Sequence, residues 1–291
     1  MTASTLRLVI HGGAGAPPDR DYARELAHMR GLIEAGRDRL LAGAPALDVV
    51  VETLQALEVS GFYVAGRGAS PNSDGVFELD ASLMDGPTRR AGAVAALVGF
   101  ASPIAAARAV MERTRHVLLA GDGAAAFARA QGLEAIADPA AWFRPAWRDA
   151  GMSPAASPTG TVGALALDAS GALAAGTSTG GTFGKRPGRV GDSPIPGAGV
   201  WADDAVAVSC TGQGEMFIRA AVAAQVAFRM RFGGQDVETA ARGALADVAA
   251  LGGEGGLIAL AADGSLAAPF NTRGMKRAWL AGSGEIVSSV F

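Results

Sequence analysis

Ser153-Pro-Ala-Ala-Ser-Pro-Thr-Gly160 runs directly into Thr161-Val-Gly-Ala-Leu-Ala-Leu167. The first half of this stretch holds Pro, Ser, Ala and Gly, with nothing to bury. The second half is an unbroken apolar run of strand length. The character of the chain changes at one bond, Gly160-Thr161. Going backwards, the loop composition persists to about Ala137, interrupted only by Trp142 and Trp147, and predicts a mobile linker over 137–160. Going forwards, a turn at Asp168-Ala-Ser-Gly171 and the run Ala172–Thr179 complete a β-hairpin.

Further from this boundary, Leu6 to His11 reads as a strand that ends in the Gly-rich turn His11-Gly-Gly-Ala-Gly-Ala16. Helical patterns follow at about Asp21 to Leu41 and at Ala46 to Val59. Val76 to Met84 and Ala91 to Phe100 have strand character, followed by a helix from Pro103 to near Arg113 and a strand at His116 to Leu119. In the second half, Ala205 to Ser209 reads as a strand. Glu215 to Phe232 and Gln235 to Leu251 read as Ala-rich helices, and Gly256 to Phe270 as a second hairpin. Strands grouped with strands and helices with helices predict antiparallel sheets covered by helices, an α+β fold.

Composition narrows the partners. A chain of 291 residues with 49% hydrophobic and 18% charged residues can bury a full core without cross-links. Its formal net charge is −3, with no block of like charge, so neither nucleic acid nor an anionic membrane surface is an expected partner. The N-terminus has neither a basic leader nor a long apolar span, which makes the cytoplasm the expected location. Cys210 is the sole cysteine, and His11, His28 and His116 lie far apart, so no disulfide or zinc-ligand spacing is expected.

Hydroxyls, glycines and charges concentrate between Thr177 and Glu215, where backbone can approach a ligand closely and N–H groups can stabilise an oxyanion. Gly188-Arg-Val-Gly-Asp192 supplies a cation and an anion three residues apart, the pair that holds both ends of an α-amino acid. On spacing alone, a solvated surface turn explains it better. His11-Gly-Gly-Ala-Gly-Ala16 lacks the ending of a phosphate loop, and His11 at a strand end reads as a structural histidine. Cys210 closes an apolar strand and reads as a small hydrophobe. Thr179 and Thr211 are by themselves ordinary strand residues.

Seven segments in order resemble the plant-type asparaginase and isoaspartyl peptidase family. They are His11–Ala16, Glu78–Gly86, Gly160–Ala164, Thr177–Gly181, Gly188–Pro194, Ser209–Glu215 and Pro269–Met275. The resemblance spans all but the linker. It implies a four-layer αββα sandwich of the N-terminal-nucleophile hydrolase type and self-cleavage at Gly160-Thr161. Residues 1–160 would form the α subunit and 161–291 the β subunit of one folded domain, and two such pairs would assemble as (αβ)2. Thr161 would be the nucleophile and its freed amine the base. Thr179 would orient it, Thr211 and Gly212 would form the oxyanion hole, and Arg189, Asp192, Gly212 and Gly214 would bind substrate. The implied substrates are β-aspartyl dipeptides or L-asparagine, with L-aspartate released. A specialist for one dipeptide such as β-aspartyl-arginine, a glycosylasparaginase and a non-catalytic amino-acid-binding relative are the alternatives.

No cofactor is required by the resemblance, though the family holds a structural sodium ion on carbonyls of the loop from about Leu57 to Arg67. Three departures bear on the leaving-group side: Val64 replaces an amide side chain, Gly184 precedes Lys185, and Gln213 stands between the glycines of the oxyanion segment.

Overall fold

The computed structural model describes residues 6–144 and 160–291. Its centre is the hairpin of β5 (Val162–Leu167) and β6 (Leu173–Thr179). The turn between them is closed by the Asp168 carboxylate, which accepts from the Ser170 and Ala172 amides at 2.8 and 3.1 Å. β1 (Arg7–Ala14) pairs with β5, and β2 (Leu79–Asp85) pairs with β6. β3 (Ala91–Leu97) and β4 (Leu118–Ala120) extend one side, and β11 (Met275–Leu280) and β12 (Ile286–Ser289) extend the other. The resulting eight-stranded sheet runs β12-β11-β1-β5-β6-β2-β3-β4, with β3 and β4 parallel. A second sheet of four strands runs β10 (Leu266–Ala267), β9 (Gly255–Ala261), β8 (Val206–Gly212), β7 (Val200–Ala202).

Side chains of the central strands point alternately into two cores. Leu8, Ile10, Val162, Ala164, Ala166 and Ala174 face α1 (Ala23–Leu41), α2 (Ala46–Ser60), α3 (Pro103–Arg113) and α4 (Gly121–Ala130). Val9, Leu165, Leu167, Leu173 and Ala175 face the second sheet, which α7 (Val222–Gly233) and α8 (Val237–Ala250) cover. A strand buried on both faces reads as continuous apolar sequence, which is why Val162–Leu167 shows no polar alternation. Among the described residues no helix is long and apolar enough to cross a membrane.

Small residues let these layers approach. Gly92 of β3 lies under α3, where an added Cβ would sit 2.1 Å from the Ala107 carbonyl oxygen and 2.6 Å from Met111 Cβ. Backbone cannot yield as a side chain does, so Gly92→Ala is expected to destabilise the fold by about 1–3 kcal/mol. A urea midpoint equal to wild type would refute this contact.

Several boundaries differ from expectation. β1 does not turn at His11 but continues to Ala14 with a register shift, because Gly13 takes φ +99° and lets the strand bulge without losing its partner β11. The expected helix from Glu215 to Phe232 is two helices, α6 (Gly214–Ala220) and α7, separated by Ala221 at φ +48°. Alanine's helix propensity hides such a break. The expected strands at Val76 and His116 begin instead at Leu79 and Leu118, and α4 was read as no element. Most of the expected linker, 145–159, lies outside the described residues. Its start is structured: α5 (Pro139–Trp142) leads to buried Phe143, which stacks on Phe77 at 3.8 Å between ring centroids. Its last residue, Gly160, is buried.

Candidate active site

Thr161 stands at the entrance of β5, between two neighbours that fix its backbone. On one side His11 of β1 pairs with Gly163, and on the other Ser178 of β6 pairs with Val162. The bulge in β1 presses Gly13 against the Gly160-Thr161 peptide; a Cβ there would lie 2.9 Å from Gly160 Cα and 3.3 Å from Thr161 N. Val64 closes the other wall, its Cγ2 lying 3.0 Å from where a Cβ on Gly160 would sit. The bond between 160 and 161 is therefore held on both sides by backbone and apolar contact.

Hydroxyls are ordered around it. Thr161 Oγ1 donates to Thr179 Oγ1 at 3.3 Å, and Thr179 Oγ1 donates its own proton to the Gly160 carbonyl at 3.0 Å. The Gly181 amide donates to Thr179 Oγ1 at 3.0 Å, and the Val64 carbonyl, at 3.5 Å, is a more distant second acceptor for its proton. A donor thus polarises the carbonyl that precedes Thr161, while its acceptor side orients the Thr161 hydroxyl.

A narrow cleft opens here, lined by Thr161, Thr179, Gly181, Arg189, Asp192 and Gly212 among others. Arg189 is paired with Glu215, Nε to Oε1 and Nη2 to Oε2, each at 2.9 Å. The Asp192 carboxyl is buried and, among the described residues, its Oδ2 has no hydrogen-bond partner. Burial raises its pKa to about 6. An unpartnered carboxylate oxygen at a cleft wall is costly unless a cationic ligand completes it.

Thr211 and Gly214 flank the cleft-lining Gly212 along the chain. Thr211 Oγ1 accepts from the Ala14 amide at 3.2 Å, joining the second sheet to β1. Gly214 backs Asp192, since a Cβ on it would be 2.9 Å from Asp192 Oδ1. His11 is wholly buried and its pKa falls to about 3, chiefly through burial. Thr177 Oγ1 donates to the Gly199 carbonyl at 3.0 Å and lies 2.8 Å from Ser209 Oγ, which lies 2.9 Å from His11 Nε2. With one proton per hydroxyl, Ser209 donates to Thr177 and accepts from a neutral His11 protonated at Nε2. Cys210 is buried, and burial pushes its thiol pKa well up, as befits an apolar role.

Gly13, Val64, Gly191 and Glu215 shape this site without having been singled out as site residues from sequence, except Val64 as a departure. The only available signal for Gly13 was the double glycine after His11, which reads equally as a turn.

Two facing sheets thus carry a buried threonine at the head of a central strand, beside a charge-lined cleft. The chain belongs to the asparaginase family, which matches residues 4–288. It is 46% identical to an isoaspartyl peptidase of Salmonella typhimurium, with 94% of each chain covered. It is 45% identical to the isoaspartyl peptidase of Escherichia coli, covering 94% of this chain and 92% of that one. Against a plant-type L-asparaginase of Pyrobaculum calidifontis the identity is 41%, covering 94% and 96%. The expected family is borne out over nearly the whole chain.

Proposed function

We propose that this protein cleaves itself before Thr161 and then hydrolyses β-aspartyl dipeptides and L-asparagine, releasing L-aspartate. The observation that carries this is the meeting of Thr161 and Thr179 with the Arg189 and Asp192 charges in one cleft. In the first reaction Thr161 Oγ attacks the Gly160 carbonyl carbon. The peptide C–N bond breaks to give an ester and a free amine, and water then hydrolyses the ester. The amine, with a pKa of about 8 in the absence of perturbation, becomes a base at the nucleophile that created it.

In turnover, Arg189 holds the α-carboxylate and Asp192 the α-ammonium, which leaves the side-chain amide carbonyl at Thr161 Oγ. The amine takes the hydroxyl proton and passes it to the leaving amine, and water releases L-aspartate from the acyl-enzyme. Thr211 and Gly212 serve the developing oxyanion, and Gly214 keeps Asp192 in place. Helices α1 to α4, the two sheets, and α7 with α8 supply the four layers of the proposed αββα sandwich, assembled as (αβ)2 in the cytoplasm. The carbonyls of Glu58, Gly61 and Tyr63 crowd Gly66 and Gly68, with a Cβ at those glycines falling 2.5, 3.0 and 2.0 Å away from them. A structural sodium ion on carbonyls of the loop from about Leu57 to Arg67 is part of the same proposal.

The test is release of L-aspartate from a β-aspartyl dipeptide and from asparagine, with intact mass followed in parallel. No release by protein that has split after Gly160 would end the proposal. A second expectation follows from Asp192. Its carboxyl must be ionised to hold an ammonium, and its pKa is raised to about 6. Competitive inhibition by L-aspartate should therefore weaken as pH falls through about 6. Succinamate, which lacks the amine and whose single carboxyl ionises in the ordinary carboxylate range, should not weaken in that window, and parallel curves for the two compounds would contradict the assignment.

A further inference from the structure

Glu215 approaches the Arg189 guanidinium along a single edge, accepting from Nε and from Nη2 at 2.9 Å each. A guanidinium carries five N–H donors in a rigid planar fork. This pairing occupies two and leaves the edge formed by Nη1 and the outer hydrogen of Nη2. That edge borders Gly191, where an added Cβ would stand 3.0 Å from Nη1 and 3.4 Å from Cζ. Arg189 and Gly191 both line the cleft beside Thr161. Glu215 approaches from the solvent side: its side chain is 57% exposed, that of Arg189 only 19%. The helix start that carries Glu215 also carries Gly214, which abuts Asp192.

We infer that Glu215 is the positioning residue of the carboxylate subsite, turning the Nη1 edge of Arg189 toward the cleft along a wall that Gly191 keeps open. Two parallel hydrogen bonds fix the plane of the fork, so the substrate carboxylate meets donors already oriented and no rotamer freedom is lost on binding. The inference rests on the reading of Arg189 as the carboxylate holder. Arg189 is largely buried, so Glu215→Ala also leaves its guanidinium without a partner, and the urea midpoint of each variant, measured alongside the kinetics, separates a positional effect from a structural one.

The experiment compares Glu215→Ala, Glu215→Gln and Arg189→Ala with wild type, all after intact mass has established the extent of splitting. Glu215→Ala is expected to raise KM for asparagine and for a β-aspartyl dipeptide by about tenfold or more, with kcat within about threefold, the pattern of a lost binding interaction. Glu215→Gln, which keeps one acceptor oxygen, should fall between. The discriminating substrate is β-alaninamide, which has the amine and the amide but no α-carboxylate. Its kcat/KM should be the same in wild type and Glu215→Ala. An unchanged or lower KM for the carboxylate-bearing substrates in Glu215→Ala would overturn the inference, as would an equal loss on β-alaninamide. If Arg189→Ala raises KM and Glu215→Ala does not, the inference alone fails. If Arg189→Ala has no effect, or wild type is inactive, the functional reading fails and the inference with it.

Discussion

Thr161→Ala is expected to remain a single chain indefinitely and to lose about 10⁴-fold or more of its turnover, while folding as wild type does. The removed hydroxyl is the nucleophile of both proposed reactions, and Thr179 and Thr182, the other threonines of the cleft wall, have no amine that cleavage at Gly160 would free. Ser193 also lines the cleft but carries no amine that cleavage could free. Folding should be spared because the hydroxyl makes one hydrogen bond of 3.3 Å, and Thr179 Oγ1 keeps both Gly160 O and Gly181 N after its loss. The expected change in stability is within about 1 kcal/mol. Thr161→Ser retains hydroxyl and amine and should split and turn over, more slowly. Intact mass over hours of incubation, beside an L-aspartate assay, decides this. An alanine variant that still breaks between 160 and 161 would remove Thr161 from the mechanism.

Thr179→Val tests the donor to the scissile carbonyl. Valine matches threonine in shape but deletes the 3.0 Å hydrogen bond to Gly160 O and the acceptor of the Thr161 hydroxyl. During attack the Gly160 oxygen gains negative charge, so this donor is worth more in the transition state than in the ground state. Loss of one such donor slows acyl transfer by about 10²–10³-fold, and that slowing of self-cleavage is expected here. Time-resolved intact mass gives the rate directly. Splitting at the wild-type rate would mean that the Thr179 proton does not serve the Gly160 carbonyl.

Much of this site could be read in the linear chain, and the reasons are local. A strand buried on both faces must be apolar throughout, and so Val162–Leu167 reads as one unbroken apolar strand in the linear chain. The Pro- and Ser-rich composition ahead of it marked Gly160-Thr161 as a boundary. Arg189 and Asp192 are three residues apart on one loop, so their joint presence at the cleft needed only that the loop be placed there. Ala221 defeated the reading because alanine favours helix on average, whereas its left-handed conformation goes with amides at the start of α7 donating to the Gly197 and Ala198 carbonyls, contacts far along the chain.

The mixed α and β architecture, the family, and the short list of hydroxyls and charges proposed to carry the chemistry are legible in the linear chain. What touches them follows from the folded sheets alone. Gly13 against the Gly160-Thr161 bond, Thr211 beneath Ala14, Val64 against Gly160 and Glu215 on Arg189 are all contacts between segments distant along the chain. Residue identity encodes burial and backbone preference over a few neighbours. The direction in which a guanidinium edge faces is set by whichever group the folded sheets bring to its other side.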